Sequence, residues 1–281
     1  MALIQANIFS ECLMRTIPVH AVIPSDKVVM PGEGPKKKKN FKTLYLLNGL
    51  MGNDTDWVTG TRIERWAKDK DLAVIMPGGE NRFYIDQDIP GQKYGEWIGR
   101  ELVELTRALF PLSDKKEDTF IAGLSMGGYG ALVNGLKYSD TYSHIGALSS
   151  ALILDTVEAS SYDAPWITTN RYYFEHVFGD IGKLRGSDKD YEALILQLKK
   201  ENREIPKLYM AIGTEDELLL EANRRYRDFL EEQNVPVEYV EAPGAHEWDF
   251  WDSQIKKVLD WLPLGEVCEG LSSGHVQVDK Q

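Results

Sequence analysis

Residues 118–133 read DTFIAGLSMGGYGALV, and this stretch decides the fold. Its first half, Thr119 to Leu124, is a short β-branched and apolar run of the kind that forms a strand buried on both faces. Its second half, from about Gly127, carries small and apolar residues at helical spacing. Ser125 stands at the junction, inside Gly123-Leu124-Ser125-Met126-Gly127. A G-x-S-x-G string alone says little, because small residues around serine are common. Set between a strand and a helix it describes a nucleophile elbow, a turn so sharp that the positions two before and two after the serine must lack bulk. The hydroxyl is then raised above the sheet edge. The helix behind it aims unsatisfied N–H groups and a positive dipole end at the same spot, so the N–H of Met126 is the natural first donor to a developing oxyanion.

Working outward, further apolar runs occur in KTLYLLNGL (42–50), LAVIMPGG (72–79), HIGALSSAL (144–152), KLYMAIGTED (207–216) and VPVEYVEAPG (235–244). Most end in glycine-containing turns. Segments with helical periodicity lie between and after them, among them WIGRELVELTRALF (97–110), EANRRYRDFLEE (221–232) and WDFWDSQIKKVLDWL (248–262). Strand alternating with helix predicts an α/β fold with a mostly parallel, doubly wound sheet. With the elbow at its centre this is an α/β-hydrolase fold. ALIQANIF and LMRTIPVHAVIP at the start read as a strand pair at a sheet edge. The stretch from about 154 to 203 breaks the rhythm and is rich in aromatics, including Trp166, Tyr172, Tyr173, Phe174 and Phe178. It reads as an inserted cap over the sheet edge, the alternative being a satellite of helices that only packs. Residues 1–265 thus form a single domain carrying that insertion, and 266–281 form an aperiodic C-terminal tail.

The chain has 281 residues, 43% of them hydrophobic and 27% charged, enough for one large core. A formal net charge of −12 opposes binding to phosphate backbones and anionic membrane surfaces, so nucleic acid and membrane are excluded as partners. The run Lys36 to Lys39 lies beside turn-forming PGEGP and reads as a solvated loop. Cys12 and Cys268 make neither a disulfide framework nor a metal-ligand spacing. No stretch approaches the roughly 20 apolar residues that span a bilayer, and a soluble cytoplasmic protein is expected. Composition leaves a homo-oligomer open.

A serine hydroxyl needs a base, and the base needs a carboxylate partner. Of five histidines, His20 lies in an edge-strand pattern, His144 opens a strand, His176 falls in the insertion and His275 in the tail. His246 follows the last strand in a Gly244-Ala245-His246 turn, where this fold carries its base. The acid must lie between, at the end of an earlier strand. Glu215, Asp216 and Glu217 offer it, and Asp216 is preferred as the third residue after Gly213; the trio also suits a cap for the helix beginning near Leu218. The loop LLNGLMGNDTDW, with its turn at Asn48-Gly49, brings the N–H of Leu50 toward Ser125 as second oxyanion donor. No metal motif or phosphate loop accompanies these residues, and the chemistry calls for no cofactor.

Taken together, NIFSECLMRTIPVHAVIP, YLLNGLMGNDTDW, MPGGENRFYID, GLSMGGYGAL, YYFEHVFGD and GAHEWDFWD resemble the esterase family that includes esterase D, S-formylglutathione hydrolase, bacterial tributyrin esterases and carbohydrate acetyl and feruloyl esterases. The resemblance is strongest to the tributyrin and carbohydrate esterase branch. It implies a serine carboxylesterase acting on a small-molecule short-chain acyl ester, with Ser125, Asp216 and His246 as nucleophile, acid and base, and Leu50 and Met126 as oxyanion donors. One departure is Asn48, where the family commonly has histidine. Thioester hydrolysis of the S-formylglutathione type, or acyl transfer, is the alternative reading. Met51, Trp57, Phe83, Trp166 and Trp248 are candidate pocket walls, each also explicable as core.

Overall fold

The computed structural model describes residues 1–26 and 40–265. The lysine run at 36–39, Cys268, His275 and the tail at 266–281 lie outside the described residues. Among the described residues eight strands form one sheet: β1 (Ala2–Ser10), β2 (Arg15–Ile23), β3 (Lys42–Leu47), β4 (Leu72–Pro77), β5 (Thr119–Leu124), β6 (His144–Leu148), β7 (Lys207–Gly213) and β8 (Val237–Ala242). Their order is β1-β2-β4-β3-β5-β6-β7-β8. β1 pairs antiparallel with β2, and β2 antiparallel with β4; every other pairing is parallel. This is the α/β-hydrolase arrangement, with the opening strand pair at one edge.

The helices are α1 (Asp56–Gly60), α2 (Ile63–Asp69), α3 (Tyr94–Glu96), α4 (Leu102–Leu109), α5 (Met126–Lys137), α6 (Leu154–Glu158), α7 (Arg171–Phe178), α8 (Tyr191–Lys200), α9 (Leu220–Glu232) and α10 (Trp248–Trp261). The central strands are buried on both faces, which is why they read as continuous apolar runs. Leu44, Leu46, Phe120 and Ala122 face α1, α2 and α10 through Trp57, Trp66, Ile255 and Val258. The alternate residues Tyr45, Leu47 and Ile121 face the other layer, packed with Leu102, Leu132, Leu136 and Ile195. The helix expected over 97–110 opens with a π-helical turn at Trp97–Glu101 before α4 begins.

From β3 the chain crosses to β4 on one side, whereas from β5 it crosses to β6 on the other. The carboxyl ends of β3 and β5 therefore bound the crevice where this class of sheet binds its ligands. The span 154–203 joins the parallel neighbours β6 and β7, and its last part, α8, is an ordinary crossover helix packed on α5. Phe174 and Phe178 of α7 point into the core, with Phe178 against Phe83 at 5.1 Å, because a run of this hydrophobicity gains most by burial there. Tyr173 of α7 donates to Asn81 O at 2.9 Å, so α7 rests on the loop after β4. No described helix is long and apolar enough to cross a membrane.

Candidate active site

The elbow follows from two glycines that nothing larger could replace. A Cβ on Gly123 would stand 2.3 Å from the carbonyl oxygen of Gly127, and one on Gly127 would stand 2.4 Å from the carbonyl oxygen of Leu47. Both obstacles are backbone, so no rotamer relieves them. Ser125 itself takes φ +53°, the left-handed region that a non-glycine residue occupies only when its surroundings enforce it. The enforcing bonds are present: Ser125 N donates to Leu148 O at 2.9 Å, and its carbonyl accepts from Tyr129 N and Ala151 N, each at 3.0 Å. β5, β6 and α5 together thus fix one strained residue at the sheet's carboxyl edge.

His246 comes from the turn after β8 and meets that serine, with Nε2 3.0 Å from Ser125 Oγ. Its Nδ1 lies 2.8 Å from Asp216 Oδ2. Because the carboxylate is an acceptor, Nδ1 carries the proton and donates, which leaves the Nε2 lone pair facing the serine hydroxyl. Asp216 is 1% exposed, and its other oxygen accepts the N–H groups of Leu218 and Leu219 at 3.2 and 3.1 Å. One carboxylate therefore both caps the approach to α9 and holds the imidazole. Glu215 is exposed and takes the N–H of Gly244, while Glu217 points to solvent. The edge of the His246 ring is backed by Trp251 at 4.9 Å, whose indole N–H donates to Ser149 Oγ at 3.1 Å.

Gly49 lies against the serine: a Cβ there would come within 3.6 Å of Ser125 Cβ. Leu50 follows it, and Met126 opens α5. Neither backbone N–H has an acceptor among the described residues. Asn48 supports this loop from inside. Its Oδ1 accepts from Gly79 N at 3.1 Å and from the Tyr84 hydroxyl at 2.9 Å, and its Nδ2 donates to Gly49 O at 2.8 Å. Asn81 Oδ1 accepts the N–H of Met51 at 2.6 Å. Glu80, Asn81, Phe83 and Tyr84 all have positive φ, so a strained loop braces the one that carries Leu50.

The family model described as "Putative esterase" matches residues 12–262. An acetyl esterase of Caldicellulosiruptor saccharolyticus is 43% identical over 93% of this chain and 98% of its own. The chain belongs to the Esterase family. Two solved structures from Staphylococcus aureus, each 31% identical over 93% of this chain and 98% of theirs, share the fold of this esterase. One is an S-formylglutathione hydrolase, with a TM-score of 0.79, and the other a fluorophosphonate-binding serine hydrolase, with 0.81. The enzyme is a hydrolase of esters.

Beside Leu50 the esterase has an open cavity of about 470 Å³ whose wall includes Met51 and Trp248. The other three aromatics considered for a pocket lie elsewhere. Trp57 is 1% exposed, donating its indole N–H to Leu47 O at 3.0 Å, and Phe83 is 3% exposed between Tyr129 and Phe178; both are core, because their large apolar areas are better buried than left on a rim. Trp166 is 72% exposed and lines no part of this cavity. Sequence reasoning did not single out Trp251, Tyr84, Asn81 or Asp56. Trp251 alone had a signal, as the apolar position following Trp248 on the face of α10 that packs on the sheet.

Proposed function

We propose that this esterase is a serine carboxylesterase that removes short acyl groups, acetyl foremost, through an acyl-enzyme. The supporting observation is the hydrogen-bonded chain from Asp216 through His246 to Ser125, at 2.8 and 3.0 Å, on a strained elbow. Ser125 Oγ attacks the ester carbonyl carbon as its proton passes to His246 Nε2. The carbonyl oxygen takes up negative charge, and the N–H groups of Leu50 and Met126 stabilise it. Collapse breaks the bond to the leaving oxygen, which receives the proton from His246. Water then enters with the same proton transfers and releases the acid and free Ser125. Asp216 balances the imidazolium in both halves. Cys12 is no rival nucleophile, since burial and the neighbouring Glu101 push its thiol up to about 12.

The acetyl preference is supported by the 43% identity to an acetyl esterase. The test is kcat/KM across p-nitrophenyl acetate, butyrate, octanoate and palmitate. Acetate or butyrate is expected to be best, because each surplus methylene in a short pocket costs roughly 1–3 kcal/mol; an optimum at octanoate or longer overturns the reading. Ser125→Ala is expected to lose about 10⁴ to 10⁶ in kcat and all labelling by a fluorophosphonate. Retention of a tenth of wild-type activity by the folded variant overturns the assignment. The likeness to an S-formylglutathione hydrolase favours a second reading, thioester hydrolysis. A higher kcat/KM on S-formylglutathione than on any acetyl ester decides for it.

A further inference from the structure

The cavity beside Leu50 has one charged residue on its wall. Leu50, Met51, Gly52, Thr59 and Trp248 contribute apolar, backbone or hydroxyl surface, and Asp56 contributes a carboxylate. Asp56 Oδ1 is committed to the N–H of Asn53 at 3.1 Å. Oδ2 stands over Gly52, where a Cβ would come within 1.8 Å of it, so the glycine makes room for the carboxylate to stand there. Among the described residues no Lys or Arg pairs with Asp56. Asp54, two residues before it, is already engaged with His20 at 2.6 Å and adds a like charge, not a counter-charge. The carboxylate therefore presents an uncompensated acceptor to whatever enters.

The cavity's position decides what enters. Gly49 abuts Ser125, and Leu50, next along the chain, forms part of the wall. Trp248, also on the wall, packs at 5.2 Å on Trp251, the ring that backs His246. A leaving oxygen must approach His246 Nε2 to take its proton, and the cavity borders the His246 flank through Trp248 and Trp251, which favours the leaving group as its occupant. Its volume suits a whole small molecule better than a two-carbon acyl fragment.

We propose that Asp56 is a specificity-determining residue that makes this cavity a charge filter for the leaving group. It admits leaving groups that bring a hydroxyl donor or a positive charge to Oδ2, and rejects those that bear a carboxylate. The inference rests on the triad reading above. It also places a carboxylate-bearing thiol such as glutathione among the poorer leaving groups.

The test uses three acetyl esters of matched phenols: para-(hydroxymethyl)phenyl acetate, para-acetoxybenzoate, and the para-(trimethylammoniomethyl) analogue. For wild type at low salt, kcat/KM for the hydroxymethyl ester is expected to exceed that for the carboxylate by roughly tenfold, as one like charge nearby requires. Asp56→Asn, which keeps an oxygen for Asn53 N–H, is expected to bring that ratio to within about threefold. High salt is expected to narrow the gap in wild type and leave it unchanged in the variant, a response that a merely structural role would not produce. Equal rates on the neutral and anionic esters in wild type overturn the filter even if the variant fails to fold. The cationic ester is expected to equal or exceed the neutral one, by up to roughly tenfold at low salt, and a cationic ester hydrolysed more slowly than the anionic one overturns the filter. If hydrolysis of the hydroxymethyl ester survives Ser125→Ala, the triad reading fails and takes the filter with it. If hydrolysis depends on Ser125 but is blind to charge, only the filter falls.

Discussion

Asp216 shows how much one buried carboxylate can be asked to do. Its Oδ1 satisfies two N–H groups ahead of α9 and its Oδ2 fixes the His246 tautomer, so the helix cap and the proposed catalytic partner are one side chain. Replacement by asparagine leaves an oxygen for the cap but sets an N–H donor against Nδ1 or forces the imidazole into the wrong tautomer. A loss of about 10⁴ in kcat with near-native stability is therefore expected for Asp216→Asn. Glu215→Gln and Glu217→Gln are expected to stay within a few-fold of wild type, since both side chains are exposed and neither touches the imidazole. Steady-state kinetics on p-nitrophenyl acetate compares the three. Equal losses would mean that the acid is misassigned. The same economy marks Asn48, whose amide reaches three partners that a histidine in its place would have to meet differently. Tyr84→Phe removes only the hydroxyl that bonds Asn48, and it is expected to lower kcat with KM little changed if that loop positions the oxyanion donor. A rise in KM at constant kcat would show that Tyr84 serves substrate binding instead.

At the scale of elements, the elbow is a packing solution before it is a chemical one. Gly127→Ala drives a methyl into the Leu47 carbonyl, so α5 must move away from β3. Such overpacking costs about 1–3 kcal/mol or more, and here it shifts Ser125 relative to His246 as well. A fall in Tm together with a disproportionate fall in kcat is the expected outcome; normal kcat in a destabilised variant would show that the elbow tolerates displacement. The elbow and the central strands were legible in the sequence because their signals are local: glycines two residues either side of Ser125, and apolar runs ending in turns. The loop Glu80–Tyr84 was not, because its left-handed residues are not glycines and are held by bonds to Asn48, Met51 and Tyr173, far away in the chain. Aromatics misled for a related reason. Trp57 and Trp248 are equally apolar, yet burial beneath β3 claims the first and leaves part of the second on the cavity wall. The span 154–203 likewise conceals where an excursion ends and the crossover helix α8 begins, since both are helical and amphipathic.

At the scale of the whole molecule, the parallel sheet gathers β5, β7 and β8 so that Ser125, Asp216 and His246, from three separate strand ends, meet at one edge, with none of the three at the opposite edge. That opposite edge carries a titratable fault. His144 begins β6 with its ring between Phe120 at 5.3 Å and Trp261 at 5.1 Å, and burial, aided by the charges of Lys207 and Lys42, pushes its imidazole down to about 4 from the usual 6.5. The unfolded chain therefore binds a proton between pH 6.5 and 4 that the folded chain refuses. Stability from this residue is complete above the unfolded value, falls as the pH drops through that window, and is constant again below it. With solvent screening allowed for, the contribution is about 1 kcal/mol, or roughly 2–4 °C in Tm for a chain of this size. His144→Phe keeps an aromatic ring between the same neighbours and cannot be protonated. Differential scanning calorimetry from neutral pH to pH 4 is expected to show a smaller acid loss of Tm in the variant than in wild type, by that amount, with the two curves parallel above pH 7. Parallel curves throughout would show that His144 keeps its ordinary titration in the fold, and that acid lability arises at the paired carboxylates.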